Sequence, residues 1–506
     1  MIVLFLLCTL LVFTIVFRFR RRRLYELAAL LPGTKSAHPV LGVIPLLIGN
    51  SEATMTSLQD FSYEIMEPGI GKGWLNHILY ILVVNPEDIE MITKTCLEKD
   101  DLHRFFRRLL GYGGIFAPVS IWRRRRKILV PTFSPKILKN FVDIFAQQSN
   151  KLADKLYDKT SKTPFSIWPF LVSYNLDSVG ESVMGVRLNS QNIHSYSPFL
   201  NSMTTILNIT CERIFRLWWH PECLFRCFPI YSIHEKCIKL LHSFVDKVIE
   251  TKAIELQKDK MSQQNECHHF DLQEFQKKSF LENLINLSGG AQSLTNDELR
   301  EEILTLIVAA TDTSAVAMGY TLILLGKYPK IQDKVYKELN EIFGNSNRPL
   351  ESEDLNKLKY LERVIKESLR LYPPVPFIIR KIEKEIKLPS GNCLPAGSGA
   401  VLSIWGVHRN PKCWGADAEH FDPDRFLPER FKLVKSGSYL PFSIGPRNCL
   451  GYQYALMSIK TALSTILRNY KVLGEPESSP IPRIRVKMEI MMKAVDGFNV
   501  TLQKRE

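Results

Sequence analysis

Pro441 to Gly451 (PFSIGPRNCLG), near the C-terminal end, restricts this 506-residue chain more than any other stretch. It holds one cysteine, Cys449, among residues of special kinds: Phe442 seven before it, Gly445 four before, Arg447 two before and Gly451 two after. Glycine has no Cβ, so the backbone can turn tightly there and come close to a flat ligand. Backbone N–H groups would then face the sulfur. The run YQYALMSIKTALSTIL just beyond opens a helix whose positive end lowers a thiol's pKa. Phe442 can shield the sulfur, and Arg447 can pair with an acidic group on the ligand. The plain alternative for a lone cysteine is a small buried hydrophobe in a glycine turn. The combined pattern F-x-x-G-x-R-x-C-x-G is too constrained for that, and points to a thiolate held against a metal in a dry pocket.

At the opposite end, Met1 to Phe17 carries no charged side chain, and Arg18, Arg20, Arg21, Arg22 and Arg23 follow at once. As a helix this run would reach about 25 Å, the short end of a bilayer span. A cleavable signal peptide puts its charge before the apolar run, and a mitochondrial presequence is amphipathic and Arg-rich within. Charge placed after the run predicts a signal-anchor, residues 1–17, in the endoplasmic reticulum membrane, with everything downstream in the cytosol. The N-x-S/T sequons at Asn208, Asn286 and Asn499 would then stay unused. Residues 18–40, with Leu31-Pro32-Gly33 and Pro39, read as a basic and Pro/Gly linker, and 41–506 as the catalytic domain.

Length alone allows about three domains or one large one. A formal net charge of +14 suits an acidic protein, an anionic membrane or nucleic acid. No basic run is interleaved with aromatics, and no C₂H₂ or RNP-like motif occurs, so nucleic acid is not expected. Ten cysteines without a disulfide framework fit a reducing compartment.

HILYILVV, from His77 to Val84, alternates and is rich in β-branched residues; Asn85-Pro86 stops it, and a helix should open at Pro86-Glu87-Asp88. Beyond the Gly111–Gly114 turn comes SIWRRRRKILVPTF, where Trp122 and Arg126 stand at i, i+4 and share a helix face. Arg123 to Arg125 read as a solvated basic face. Residues 140–290 are helix-rich. His220, Cys223, Cys227 and His234 invite a zinc reading, but C-x₃-C is a poor spacing for a closed zinc site. Trp218, Trp219, Phe225 and Phe228 suggest instead a lipophilic loop dipping into a membrane surface. Gln257 to His269 reads as a surface connection. Thr295-Asn-Asp-Glu298 is a capping box, and the long helix it opens is apolar almost all round, hence buried. Asp312-Thr313-Ser314 inside that helix is unfavourable unless partnered. The simplest account is a hydroxyl bonded back to an i−4 carbonyl. Glu367 and Arg370, at i, i+3, would alone be an ordinary surface pair. KIEKEIKLPSGNCLPAGSGAVLSIW, with turns at Pro389–Gly391 and Ala396–Gly397, supplies a small sheet.

Taken in order, W-x-x-x-R, AATDTS, E-x-x-R and F-x-x-G-x-R-x-C-x-G resemble the motifs of the cytochromes P-450 over residues 122 to 451. The apolar N-terminus and the Pro/Gly linker extend the likeness over almost the whole chain. Among members, the chain looks most like insect microsomal ones of the clan that contains the fatty-acid ω-hydroxylases. The resemblance implies one large domain, mainly α with a minor β region (α+β), behind an N-terminal membrane anchor. It implies haem b with Cys449 as axial thiolate, a ligand that favours O–O cleavage. Propionate contacts would come from Trp122, Arg126, Arg380 and Arg447, with Phe442, Gly445 and Gly451 shaping the loop. Glu367, Arg370 and Arg425 would form a buried structural lock. Asp312 and Thr313 would relay protons, the Thr313 hydroxyl opening the helix beside bound dioxygen, and Ala310 replaces the usual glycine. Where many ω-hydroxylases carry a glutamate esterified to a haem methyl, this chain has Ala309, so haem should be non-covalent apart from the Cys449 bond.

The activity so implied is monooxygenation of a lipophilic substrate (fatty acid, terpenoid or hormone, odorant, or xenobiotic). Electrons would come from NADPH through NADPH–cytochrome P-450 reductase, with cytochrome b5 as a further donor, at a basic face to which the remaining arginines contribute. Pocket residues are expected in 101–117, 201–227, 304–311, 375–379 and near Phe498. Two other classes fit the same motifs: a haem-thiolate isomerase or dehydratase of lipid peroxides, and a non-catalytic haem sensor or lipid carrier.

Overall fold

One helix, Asn296–Lys327, runs through the middle of the molecule, and much of the remaining chain packs round it. The computed structural model describes residues 1–506 except 36, 39–40, 161–162, 193–197, 264–277, 288–293, 345 and 506. The central helix opens on the expected capping box: Glu298 N donates to Thr295 Oγ1 at 3.2 Å, and Thr295 N to Glu298 Oε2 at 3.0 Å. It is apolar all round because neighbours surround it, namely the helices Trp168–Val179, Pro229–Gln263, Lys359–Leu371 and Tyr452–Asn469. Ile303, Ile307, Val316, Tyr320, Tyr174, Phe145 and Leu463 are fully buried in the resulting core. Each such side chain contributes about 1.5–3 kcal/mol relative to exposure.

The minor β region is a four-stranded sheet in the order Ile70–Leu75, Ile78–Val83, Gly399–Ser403, Phe377–Lys381. Its outer pairs are antiparallel and its middle pair parallel, with Tyr80 opposite Gly399 and Arg380 opposite Ala400. Leu79, Ile81, Val83, Ala400 and Leu402 form a second core beneath it. The helix Pro86–Thr95 begins where Asn85 caps it, its Oδ1 accepting from Glu87 N and Asp88 N. Ile70–Leu75 was not legible as a strand, since IGKGWL alternates glycine with polar and apolar residues alike.

Helix Ile2–Arg20 buries none of its residues. The segment read as a linker is docked rather than free: Arg22–Ala29 is a helix with Leu24, Leu27 and Ala28 buried. Tyr25 stacks on Trp74 at 5.3 Å, and Lys72 Nζ donates to the Ala28 carbonyl at 2.6 Å. Pro39 lies outside the described residues.

Several expectations are corrected. Gln257 to Gln263 continues a helix, and the rest of the stretch to His269 lies outside the described residues. In the aromatic loop Trp218 and Phe228 are exposed, but Trp219 and Phe225 are buried with the Arg213 guanidinium over the Phe225 ring at 3.9 Å. Phe498, near which pocket residues are expected, is itself packed in the core, stacked on Trp168 at 5.1 Å and edge-on to Tyr320. The histidines and cysteines of the zinc reading do not converge: His220 bonds to the Ile214 carbonyl, His234 lies against Glu235 and Cys227 donates to the Cys223 carbonyl.

Candidate active site

The cysteine loop is closed by its own backbone. Cys449 N donates to the Phe442 carbonyl at 2.9 Å and Asn448 N to the Gly445 carbonyl at 3.1 Å. Between them Ser443 has φ 59° and Gly445 φ 76°, both in the left-handed region. At Gly445 glycine is required for a reason other than a nearby flat ligand: a Cβ there would lie 2.7 Å from the Thr93 carbonyl oxygen of helix Pro86–Thr95. Gly451 is not crowded by protein, its nearest neighbour being Phe133 at 3.8 Å. Burial pushes the Cys449 thiol up, and the Gly451 backbone N–H and the Arg126 guanidinium oppose this. Cys449 keeps accessible surface although protein surrounds it closely. Phe442 is half-buried beside Tyr452, ring centroids 6.2 Å apart.

Basic side chains gather around this loop. Arg447 donates from Nε to the Leu97 carbonyl (3.1 Å) and from Nη2 to the Ala117 carbonyl (2.6 Å), and its guanidinium lies over the buried Trp122 ring at 4.3 Å. Arg126 does not point its fork freely at a ligand: Nη1 and Nη2 donate to the backbone and side chain of Asn448. Arg380 is 1% exposed, donates weakly to the Ile379 carbonyl at 3.4 Å and leaves Nε without a partner. Lys99 faces Arg380 across an isolated antiparallel bridge. No carboxylate forms a salt bridge with Lys99, Arg126, Arg380 or Arg447 among the described residues. Burial holds Arg380 down to about 10; burial with the Arg380 and Arg126 charges holds Arg447 at about 10, and burial with Arg380 and Arg447 pushes Lys99 well below the ordinary lysine value. Burial, with Lys99 beside it, lowers His103 to about 3.

On the central helix, Thr313 Oγ1 donates to the Ala309 carbonyl at 2.6 Å, the local i−4 bond, and the helix continues through that point without a break. The expected opening beside Thr313 is therefore not seen. Asp312 turns elsewhere: 6% exposed, its Oδ2 lies 3.8 Å from Lys493 Nζ, which pairs with Glu489 at 3.0 Å. Burial raises its carboxyl, Lys493 opposes this and Glu489 adds to it. No hydrogen bond joins Asp312 to Thr313 among the described residues.

A sequence model of the cytochrome P450 family matches residues 32–498. The chain belongs to that family. It is 34% identical to cytochrome P450 4c21 of Blattella germanica over all of this chain and 99% of the relative. It is 32% identical to cytochrome P450 4c3 of Drosophila melanogaster over all of this chain and 95% of that one. The crystal structure of the cytochrome P450DA haem domain shares the fold with a TM-score of 0.79 at 20% identity, covering 94% of this chain and 98% of that one. This P450 is thus a haem-thiolate monooxygenase of the clan containing the fatty-acid hydroxylases, with the mainly α fold and N-terminal apolar helix expected.

The residues present fit haem. Cys449 stands accessible in its loop, and the buried Arg380 and Arg447, with no salt bridge to a carboxylate among the described residues, suit a dianion. An unpaired buried charge is costly, and the two propionates of haem would neutralise it. Behind the loop this P450 has the expected lock. Arg370 Nε and Nη2 fork onto the Glu367 carboxylate at 2.6 and 2.8 Å, and Arg425 Nε lies 3.4 Å from Glu367 Oε1. All three residues are 5% exposed or less. Arg370 also ties in the carbonyls of His408 and Ala418, so the lock joins helix Lys359–Leu371 to the segment preceding the cysteine loop.

Sequence reasoning missed Lys99 and Asn448, and misplaced Arg125. Lys99 sits in LEKDD, which reads as solvated, and Asn448 falls on an unconstrained position of the cysteine pattern. Arg125 is no surface residue: 3% exposed, it pairs with Glu301 at 2.7 Å and Glu302 at 3.1 Å, while Arg124 pairs with Glu298. The signal was the acid-rich DELREE at the start of the central helix, which needed a basic partner.

Proposed function

We propose that this P450 inserts one oxygen atom from O₂ into a lipophilic substrate, with electrons from NADPH delivered by a flavoprotein reductase. In this reading Cys449 is the axial thiolate and Arg380, Arg447 and Trp122 meet the propionates, with Arg126 acting on the loop. The observation that carries it is the accessible Cys449 in its closed loop beside buried Arg380 and Arg447, which form no salt bridge with a carboxylate among the described residues.

Bound haem supplies dioxygen activation; the chain supplies the surroundings. The Gly451 N–H and Arg126 favour negative charge on the Cys449 sulfur against the effect of burial. Thr313 keeps its hydroxyl proton on the Ala309 carbonyl, leaving Oγ1 lone pairs to accept a hydrogen bond from the cavity side. Asp312, its carboxyl raised by burial, can take up and release a proton at Oδ2, with Lys493 and Glu489 behind it. Arg123 and Lys127 remain exposed on helix Val119–Leu129 and suit an acidic reductase. Helix Ile2–Arg20 fits a membrane anchor, and the arginines that follow it support a catalytic domain on the cytosolic side, in this reading at the endoplasmic reticulum membrane. Exposed Trp218, Leu224 and Phe228 suit the same lipid surface.

Reduced protein under carbon monoxide tests the ligand: the red-shifted Soret band of a thiolate-ligated haem should appear and be lost in Cys449→Ser. A band that survives the substitution would assign another cysteine. NADPH consumption with reductase, with and without candidate lipids, separates the monooxygenase from an isomerase or a carrier, neither of which consumes reductant.

A further inference from the structure

Glu302 is 1% exposed, and the reaction as described gives it no task. At roughly 100° per residue it lies on the same stripe of the central helix as Ala309 and Thr313, about two turns towards the N-terminus. Glu302 Oε1 accepts from Arg125 Nη1, and Oε2 accepts the Gly114 N–H, each at 3.1 Å. Arg125 Nη1 also donates to the Tyr112 carbonyl at 2.6 Å. The far side of the same loop holds Arg447: the Gly114 carbonyl accepts Nη1 at 3.4 Å and the Ala117 carbonyl accepts Nη2 at 2.6 Å. The loop meets the helix without slack, since a Cβ on Gly113 would fall 1.9 Å from Thr305 Oγ1 and 2.8 Å from the Glu301 carbonyl oxygen. One residue, Gly114, thus faces a buried carboxylate with its N–H and the Arg447 guanidinium with its carbonyl. Both contacts draw the loop in fixed directions.

We propose that Glu302 is a positioning residue for the haem site: by holding the Gly114 N–H it fixes the Tyr112–Ala117 loop, whose carbonyls aim Arg447. The proposal rests on the reading of Arg447 as a propionate contact. An apolar residue would fill the same space without desolvating a carboxylate, but it would leave the Gly114 N–H buried without an acceptor. Burial in fact pushes the Glu302 carboxyl up to about 7 despite Arg125 beside it, so the site keeps an acid where solvation disfavours one.

Ferric holoprotein gives two readouts that need no turnover: the rate at which haem passes to apomyoglobin, and the propionate bending band in the resonance Raman spectrum. Glu302→Ala should shift that band in the direction that Arg447→Lys shifts it. Haem release should rise about tenfold, as for a lost hydrogen bond of about 1.4 kcal/mol. Glu302→Gln, whose amide oxygen can still accept the Gly114 N–H, should stay within about twofold of the parent. Where alanine prevents folding, Glu302→Asp, charged but one methylene short, must show the same shift. A lowered melting temperature with the band and release rate at parent values would make Glu302 merely structural and overturn the proposal. So would a glutamine variant as damaged as the alanine one, since the role would then lie with Arg125. If Arg447→Lys changes the readouts and Glu302→Ala or Asp does not, the positioning role alone falls. If Arg447→Lys is itself silent, the reading of Arg447 falls and takes this proposal with it.

Discussion

Arg126 and Asn448, remote in sequence, are joined by two hydrogen bonds: Nη1 to the backbone carbonyl at 3.0 Å and Nη2 to Oδ1 at 2.7 Å. Asn448 immediately precedes Cys449, so the fork on helix Val119–Leu129 grips the loop next to the sulfur and places a positive charge beside the thiolate. Hydrogen bonds from a charged donor are worth about 1.5–3 kcal/mol each when well made. Arg126→Ala should therefore speed haem release more than about tenfold and lower the melting temperature. Arg126→Lys should recover only part, because an ammonium cannot make the planar double contact. Haem release at the parent rate in both variants would remove Arg126 from the site.

The Glu367–Arg370–Arg425 cluster predicts a stability effect separate from haem. Glu367→Ala leaves two buried guanidiniums without their shared carboxylate, a change that typically costs about 3–5 kcal/mol. Glu367 Oε1 also accepts the Asp422 N–H at 2.9 Å, so the alanine variant strands a backbone donor as well. Urea unfolding of the variant, followed by tryptophan fluorescence, should show a midpoint far below that of the parent. A loss under about 1 kcal/mol would place the cluster among ordinary ion pairs.

What could be read from the chain follows from where the physical constraint is local. The cysteine loop, the capping box at Thr295 and the stripe of apolar residues beyond it are determined by neighbours a few positions away, and each stands where its spacing put it. Arg125 defeats the same logic. In a run of four arginines nothing local separates the one that turns inward, and only the docking of DELREE against that helix makes it the buried member. Gly445 is instructive in another way: its importance was evident but its cause was not, because the atom it must avoid, the Thr93 carbonyl oxygen, belongs to a helix more than three hundred residues earlier. Phe498 packs into the core because Gly319 opposite leaves room for its ring, a pairing nothing local in the sequence shows.

Thr313 makes the local hydrogen bond to Ala309, and that bond is compatible with a role in coupling because the hydroxyl oxygen keeps its lone pairs. Thr313→Ala should leave the fold intact, since the helix loses only a side-chain bond to its own carbonyl. NADPH consumption should continue while product falls and hydrogen peroxide rises, as expected where a hydrogen-bonding group beside the oxygen is removed. Product formed per NADPH at the parent ratio would reduce Thr313 to a helix residue with an ordinary back-bond.

The last prediction concerns how haem is held. A carboxylate esterified to a haem methyl would have to project from the cavity-facing stripe of the central helix, and the residue at the relevant place is Ala309, which has no nucleophilic oxygen. Ala310 and Thr311 carry no carboxylate, and Thr311 is fully buried. Asp312, three residues on from Ala309, lies against Lys493, and the nearest acids on the N-terminal side are Glu301 and Glu302, about 10 Å or more along the axis at a rise of 1.5 Å per residue. Both are engaged: Arg125 pairs with Glu301 at 2.7 Å and with Glu302 at 3.1 Å, and Glu302 also accepts the Gly114 N–H. Neither can reach a haem edge while holding these partners. Haem should therefore be retained by the Cys449 bond, the basic shell and apolar packing alone. Acid denaturation of holoprotein after turnover, followed by reversed-phase separation with mass detection, should give haem and polypeptide as separate species. Haem that migrates with the chain would mean that a carboxylate reaches it after all: Asp312 turned from Lys493, or Glu301 or Glu302 released from Arg125.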